Sequence, residues 1–305
     1  METGEEGDRG RRVARSRAEG DRSMSIEIQS PTAVRGRDRR LPEAVLPVGL
    51  LLALLLPLLL MPLSAVFVFA FRGGLTAFQE ALDTQESQFA MRFSLVIAFA
   101  TAIVNAVLGT FAAYVLSKFH FPGRGALNTV VNLPIAIPTV VVGTSLLLLW
   151  GPIGLLGKAL EPYGLQPMFM PIGVLLAHLF VTFPYMLGAV KPLLDELEVT
   201  YEEAAATIGA SRWQTFWHVT LPALRASIFT GALLTFAHSL GEFGATVMVS
   251  GNLRLRTQTA PLYIFAQFEA GNLAGANAVA AVLAALSFVI FFLLLNQSRP
   301  RERQR

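Results

Sequence analysis

Apolar residues fall along this chain in long uncharged runs rather than in short alternating stretches. Five runs contain no Asp, Glu, Lys or Arg: Ala44–Phe71, Phe93–Leu116, Gly125–Gly157, Pro162–Val190 and Ala270–Ser298. A sixth, Ala226–Leu253, is interrupted only by Glu242. A helix needs about 20 apolar residues to cross about 30 Å of hydrocarbon at about 1.5 Å per residue. Each run is long enough, and no water-soluble fold needs six of them. Backbone groups in lipid must bond within their own segment, so the pattern predicts six transmembrane helices. The third and fourth are centred near 128–150 and 168–190. The first run, at 28 residues, is too long for a signal-peptide core and reads as a retained span. Pro47, Pro57 and Pro62 are expected to bend it.

Between the runs, basic residues are unevenly placed. With the N-terminus in the cytoplasm, 19 Lys and Arg lie inside; 5 lie outside, namely Arg72, Arg92, Lys158, Arg254 and Arg256. Without the first 43 residues the bias is still 9 to 5. The positive-inside rule then predicts N-in, C-in topology. Residues 1–43 are rich in Arg, Glu, Asp, Gly and Ser and lack apolar periodicity, so they read as a disordered basic cytoplasmic tail. Arg11–Arg12 is not read as an export signal, because the apolar run begins about 30 residues later and no cleavage site follows. Residues 44–298 form the six-span domain, and 299–305 a basic C-terminal tail.

Composition narrows the chemistry. Apolar residues make up 53% of the chain and charged residues 15%, against about a quarter charged in a soluble domain. The absence of cysteine removes disulfides, thiol catalysis, zinc–thiolate sites and iron–sulfur clusters. His120, His178, His218 and His238 are dispersed, and neither H-E-x-x-H nor G-x-S-x-G occurs. No catalytic residue, metal site or cofactor is expected, and nothing indicates a nucleic-acid partner. A phosphate-binding G-x-x-x-x-G-K-[ST] loop is absent as well. The chain is not read as an enzyme, and any ATP hydrolysis belongs to a separate subunit.

The most informative segment is 195–222, on the cytoplasmic side of that topology. Thr200 with Glu203 forms a capping box, followed by the strong helix formers Ala204–Ala206. Gly209 is a natural helix stop where a positive φ is expected. Ser211 with Gln214 forms a second box, and Pro222 is expected to end the second helix. Trp213, Phe216 and Trp217 make an aromatic face at helical spacing. Such a capped helix–turn–helix is suited to docking another protein or to resting on lipid headgroups.

The spacing of Glu203-Ala204-Ala205, Gly209 and Val219-Thr220-Leu221-Pro222 resembles the EAA motif of ABC importer permeases, with Val219 where the family usually has Ile. The resemblance runs from about Phe89 to Leu295. It implies an all-α integral membrane protein with the type I ABC importer permease fold. It also implies that Glu203, Ala204, Ala205, Gly209, Leu221 and Pro222 belong to the segment that couples to the ATPase. The implied partners are two cytoplasmic ABC ATPase subunits, a second permease forming a homo- or heterodimer, and an extracytoplasmic anion-binding protein.

Asn132–Gly143, Gly151–Gly154 and Phe180–Pro184 are similar to the sulfate/thiosulfate permease branch, as is the presence of the first span. Ser239–Thr246, Ser250–Asn252 and Arg256–Thr259 are as similar to molybdate permeases. Sulfate or thiosulfate is the favoured cargo, and molybdate or tungstate the alternative. A bare dianion cannot enter hydrocarbon, since one buried charge already costs several kcal/mol. The spans must line a hydrated path, where hydroxyls, amides and freed N–H groups replace part of the hydration shell. Asn132, Thr139, Thr144, Ser145, His238, Ser239 and Thr246 are candidate lining groups. Pro134 and Pro138 are expected to bend the third span, and Gly241 and Gly244 to break the fifth around Glu242. Each lining residue has an ordinary alternative as a helix–helix hydrogen bond. For Glu242 the alternatives are an ion pair, a site near the aqueous end, or exposure at the break. Helical spacing would place His238 and Glu242 on one face.

Overall fold

The computed structural model describes residues 41–197, 204–205 and 207–297. Residues 1–40 and 298–305 lie outside it, as do Thr200, Glu203 and Ala206 of the coupling segment. Among the described residues all regular structure is helical. The helices are α1 (Leu41–Ala70), α2 (Gly74–Leu82), α3 (Gln85–Lys118), α4 (Arg124–Asn132) and α5 (Thr139–Trp150). They continue with α6 (Leu155–Leu160), α7 (Pro171–Glu196), α8 (Arg212–Leu240), α9 (Gly244–Ser250), α10 (Ala260–Glu269) and α11 (Leu273–Gln297). The chain divides into two units, Met1–Leu58 and Leu59–Arg305. Among the described residues the first unit holds only the start of α1.

Among the described residues six stretches are long and apolar enough to cross a membrane: Pro47–Ala70, Gln85–Lys118, Thr139–Tyr163, Pro171–Glu196, Arg212–Leu240 and Leu273–Leu294. The number matches the hydropathy pattern, but two positions do not. The third span starts at Thr139, later than the expected centre implies. Pro134 closes a 3₁₀ turn, Leu133–Ile135, and Pro138 adopts an extended ψ of 132° as the cap of α5. Two ring-locked residues lacking N–H groups end α4 and restart the helix seven residues later.

The fifth span is Arg212–Leu240, shifted upstream of the expected Ala226–Leu253. Its C-terminal limit is the break at Gly241. At its other end, Pro222 does not stop the helix. Phe216–Thr220 winds as a π-helix, with the Leu221 N–H donating to the Phe216 carbonyl five residues back. Pro222 falls in the first turn after this widened stretch, where its missing N–H removes no ladder bond that the helix needs. The second helix of the coupling segment and the fifth span are therefore one continuous element.

In the second unit, α3, α7 and α8 pack around Ala113, Leu116, Met186, Leu187, Val190, Leu194 and Leu224. Small residues let the helices approach where no hydrophobic force draws them together in lipid. α9 crosses α5 and leans on α7, while α10 packs on α11. At the α5–α9 crossing a Cβ on Gly143 would lie 2.6 Å from the Ala245 carbonyl oxygen, and one on Gly244 would collide with Thr139 Oγ1. Both positions are glycine because the backbones meet there.

Candidate functional site

The coupling segment is built by local rules. Ala204 and Ala205 are helical. Thr207 Oγ1 donates to the Ala204 carbonyl at 2.7 Å, and the Ala210 N–H closes the turn onto the Ala205 carbonyl at 3.0 Å. Gly209 has a φ of +84°, with nothing within 4 Å of where a Cβ would stand. The left-handed backbone, not crowding, is what calls for glycine there. The Ser211–Gln214 box is present. The Gln214 N–H donates to Ser211 Oγ at 3.3 Å, and the Ser211 N–H donates to Gln214 Oε1 at 2.8 Å.

The aromatic face divides. Phe216 packs edge-on to Tyr114 of α3, ring centroids 5.0 Å apart. Trp213 and Trp217 remain 68% and 48% exposed, next to Ile208 at 85%. Leu221 is half-buried and Pro222 exposed. An apolar, exposed, capped turn thus stands at the head of a helix running without interruption to Leu240. Glu203 lies outside the described residues.

The expected path residues occupy different surroundings. On the third span, Asn132 Nδ2 donates to the Asn128 carbonyl at 2.7 Å, within its own helix. Thr144 and Ser145 donate to the carbonyls of Val140 and Val141, each at 2.9 Å. Pro134 is buried and borders a cavity of about 380 Å³ with Asn105, Trp150, Phe180 and Phe183. Pro138 is exposed, and Thr139 is half-buried against Gly244.

Around the break in the fifth span the polar residues converge. Ser239 lies in the last turn of α8, Gly241 is exposed, and Glu242 is only 5% exposed. Glu242 Oε1 accepts the Ala245 N–H at 2.9 Å. A carboxylate at the positive end of a short helix satisfies one of its free donors. That contact gives the buried carboxyl group at the break a donor. His238 and Glu242 do not keep helical spacing, because α8 ends at Leu240. The His238 ring instead lies on Tyr185 of α7, centroids 4.3 Å apart, with Nε2 3.3 Å from the phenol oxygen.

Three residues of this cluster were not singled out from the chain: Asn105, His178 and Thr182. His178 is 1% exposed. Its Nδ1 is 2.7 Å from Ser239 Oγ and its Nε2 is 2.8 Å from Thr246 Oγ1. Thr182 Oγ1 donates to the His178 carbonyl at 2.7 Å, and Asn105 Nδ2 donates to Thr182 Oγ1 at 2.9 Å. The available signal was spacing: His178, Thr182 and Tyr185 recur at helical intervals within an uncharged run. His178 thus joins Ser239 and Thr246, Thr246 reaches the Glu242 carbonyl and Thr139 meets Gly244, whereas Asn132 bonds locally on α4.

The family described as "Binding-protein-dependent transport system inner membrane component" matches residues 105–304. "Sulfate transport system permease protein CysT" of Escherichia coli (strain K12) is 35% identical over 254 residues, covering 83% of this chain and 92% of that protein. "Sulfate transport system permease protein CysW" of Synechocystis sp. is 38% identical over 246 residues, covering 81% and 89%. Among solved structures, a bacterial ABC transporter involved in the import of the acidic polysaccharide alginate aligns with a TM-score of 0.67. It covers 87% of this chain and 100% of its own at 20% identity, a likeness of fold alone. With about two-thirds of its length matched by one family and relatives of this identity aligned over most of theirs, the chain belongs to the binding-protein-dependent transport system inner membrane components, as an ABC importer permease.

Proposed function

We propose that this chain is the membrane-spanning subunit of an ATP-driven importer that moves sulfate into the cytoplasm. The observation that carries the coupling part is the exposed, capped turn at Gly209–Ser211 leading into one unbroken helix to Leu240. The cargo part rests on relatives named as sulfate transport permeases. In this reading both termini lie in the cytoplasm, so segment 195–222 faces the ATPases. Two ATPase subunits dock on the paired permeases through Ile208, Trp213, Trp217 and the Ala204–Gly209 turn. Their closure on ATP displaces the Arg212–Leu240 helix. A binding protein delivers the anion from outside, and a solved bacterial alginate ABC transporter "in complex with alginate pentasaccharide-bound periplasmic protein" has a similar fold.

The path runs where the fifth span breaks. The backbone at Phe243–Gly244, with Thr139 against Gly244 and His238 in the last turn of α8, offers polar contacts without a fixed full charge of either sign facing the anion. Glu242 is held away from the anion by the Ala245 N–H of α9, which it accepts. Bonds that form and break as the spans move let the anion enter and leave. The test is uptake of labelled sulfate, thiosulfate and molybdate in a strain deleted for this permease and complemented with it. Sulfate uptake that returns with the gene and is outcompeted by excess unlabelled sulfate is the expected result. Return of molybdate uptake alone would move the chain to the molybdate branch. Uptake independent of a co-purifying ATPase would overturn the importer reading.

A further inference from the structure

Ser239 and Thr246 stand on opposite sides of the break at Gly241, one closing α8 and the other within α9. An intact helix would tie such positions through its own ladder. Here the ladder stops: the Gly241 and Glu242 N–H groups turn back onto the Ser239 carbonyl, and helix resumes at Gly244. The two halves are instead bridged from a different span, by the imidazole of His178 at 2.7 Å and 2.8 Å.

The proton order of the bridge is assigned from its neighbours. A neutral imidazole carries one N–H and one bare nitrogen. Thr246 Oγ1 also lies 3.3 Å from the Glu242 carbonyl, to which it donates. Its lone pair is then left for an N–H at His178 Nε2, and Nδ1 accepts from the Ser239 hydroxyl. Behind the ring, Thr182 and Asn105 hold that turn of α7 against α3. The residues involved are all buried, so water does not compete for these bonds. In a dry site a hydrogen-bonded network of this kind, in which Asn105 Oδ1 alone lacks a partner, rigidifies what it joins.

We propose that His178 is a positioning residue for transport. It clamps both halves of the interrupted fifth span to α7, so that displacement of Arg212–Leu240 crosses the break and reaches Glu242 and α9. Without the clamp, the three-residue gap Gly241–Phe243 absorbs the movement. The inference rests on the coupling role proposed above for the turn at Gly209.

The experiment uses the complete transporter in proteoliposomes, with ATP hydrolysis and labelled sulfate uptake measured on the same vesicles. In His178→Ala, hydrolysis is expected to stay within about twofold while sulfate moved per ATP falls about tenfold, the scale of one coupled buried contact. His178→Gln, whose amide offers both a donor group and an acceptor group, is expected to recover most of the ratio. Thr246→Val keeps the branched shape and removes one arm, so it should lower the ratio too. The double variant His178→Ala/Thr246→Val should be no worse than the poorer single one. An unchanged ratio in His178→Ala overturns the clamp, as does a Gln variant no better than Ala, or losses that add. Hydrolysis and uptake falling together in every variant also overturns it, since that marks a purely structural role. Gly209→Val, expected to lose ATPase association, separates the two readings. If it keeps the ATPases and couples normally, the coupling segment itself is misassigned. If it loses them while His178→Ala keeps both the ATPases and the ratio, only the clamp fails.

Discussion

Gly209 and His178 are single residues with opposite kinds of reason behind them. Gly209 is needed for a backbone angle: at φ +84° a side chain would still have open space around it. Forcing an L-residue with a Cβ into that region costs roughly 1–2 kcal/mol, and a β-branched residue is the worst case. Gly209→Val is therefore expected to insert in the membrane yet lose ATPase association and uptake. Gly209→Asn, which tolerates the left-handed region, should keep most of both. Membrane-fraction blots, co-purification and uptake check the pair, and equal loss in Val and Asn would show that size rather than φ matters. His178 is needed for its two nitrogens, and its partners come from 61 and 68 residues away.

Helices meet in this protein through absent side chains. At the α5–α9 crossing, Gly143 faces the Ala245 backbone, which cannot move aside as a flexible side chain could. Gly143→Leu is expected to overpack the crossing and cost about 1–3 kcal/mol. It should appear as a lower melting temperature in detergent, with Gly188→Leu, where nothing lies within 4 Å of a Cβ, as the control. The α8 helix makes a second demand. If Arg212–Leu240 transmits movement as one body, inserting one alanine after Thr230 turns its two ends by about 100° relative to each other. Uptake should then be lost while ATPase association through the Ser211 end is retained. Undiminished uptake would show that this helix is not the transmitter.

For the molecule entire, the exposed apolar surface is the plainest statement of its surroundings. The leucines of α1 from Leu50 to Leu60 are exposed, and so are Phe288, Phe291 and Phe292 on α11. Hydrocarbon, not water, is the medium in which that surface is stable. Topology should depend on the loops rather than on the N-terminal tail, because the 9-to-5 basic bias survives without it. A chain starting at Arg39 is expected to assemble and transport, with a C-terminal reporter still cytoplasmic. A reporter that became external would refute N-in, C-in topology.

Six spans, the capping box at Ser211–Gln214 and the positive φ at Gly209 were legible along the chain. Each depends on residues within a few positions of one another, so local chemistry specifies them. Where helices begin and end within uniformly apolar runs was not legible. Hydropathy is level from Gly125 to Gly157, and only the competition between Pro134, Pro138 and packing on α9 places the start of α5. Pro222 reads as a stop, but a π-turn upstream let the helix continue. The bridge from His178 to Ser239 and Thr246 belonged to tertiary structure alone. A lone histidine in an apolar run has no partner until folding brings one, and burial then makes hydrogen-bonding both nitrogens obligatory.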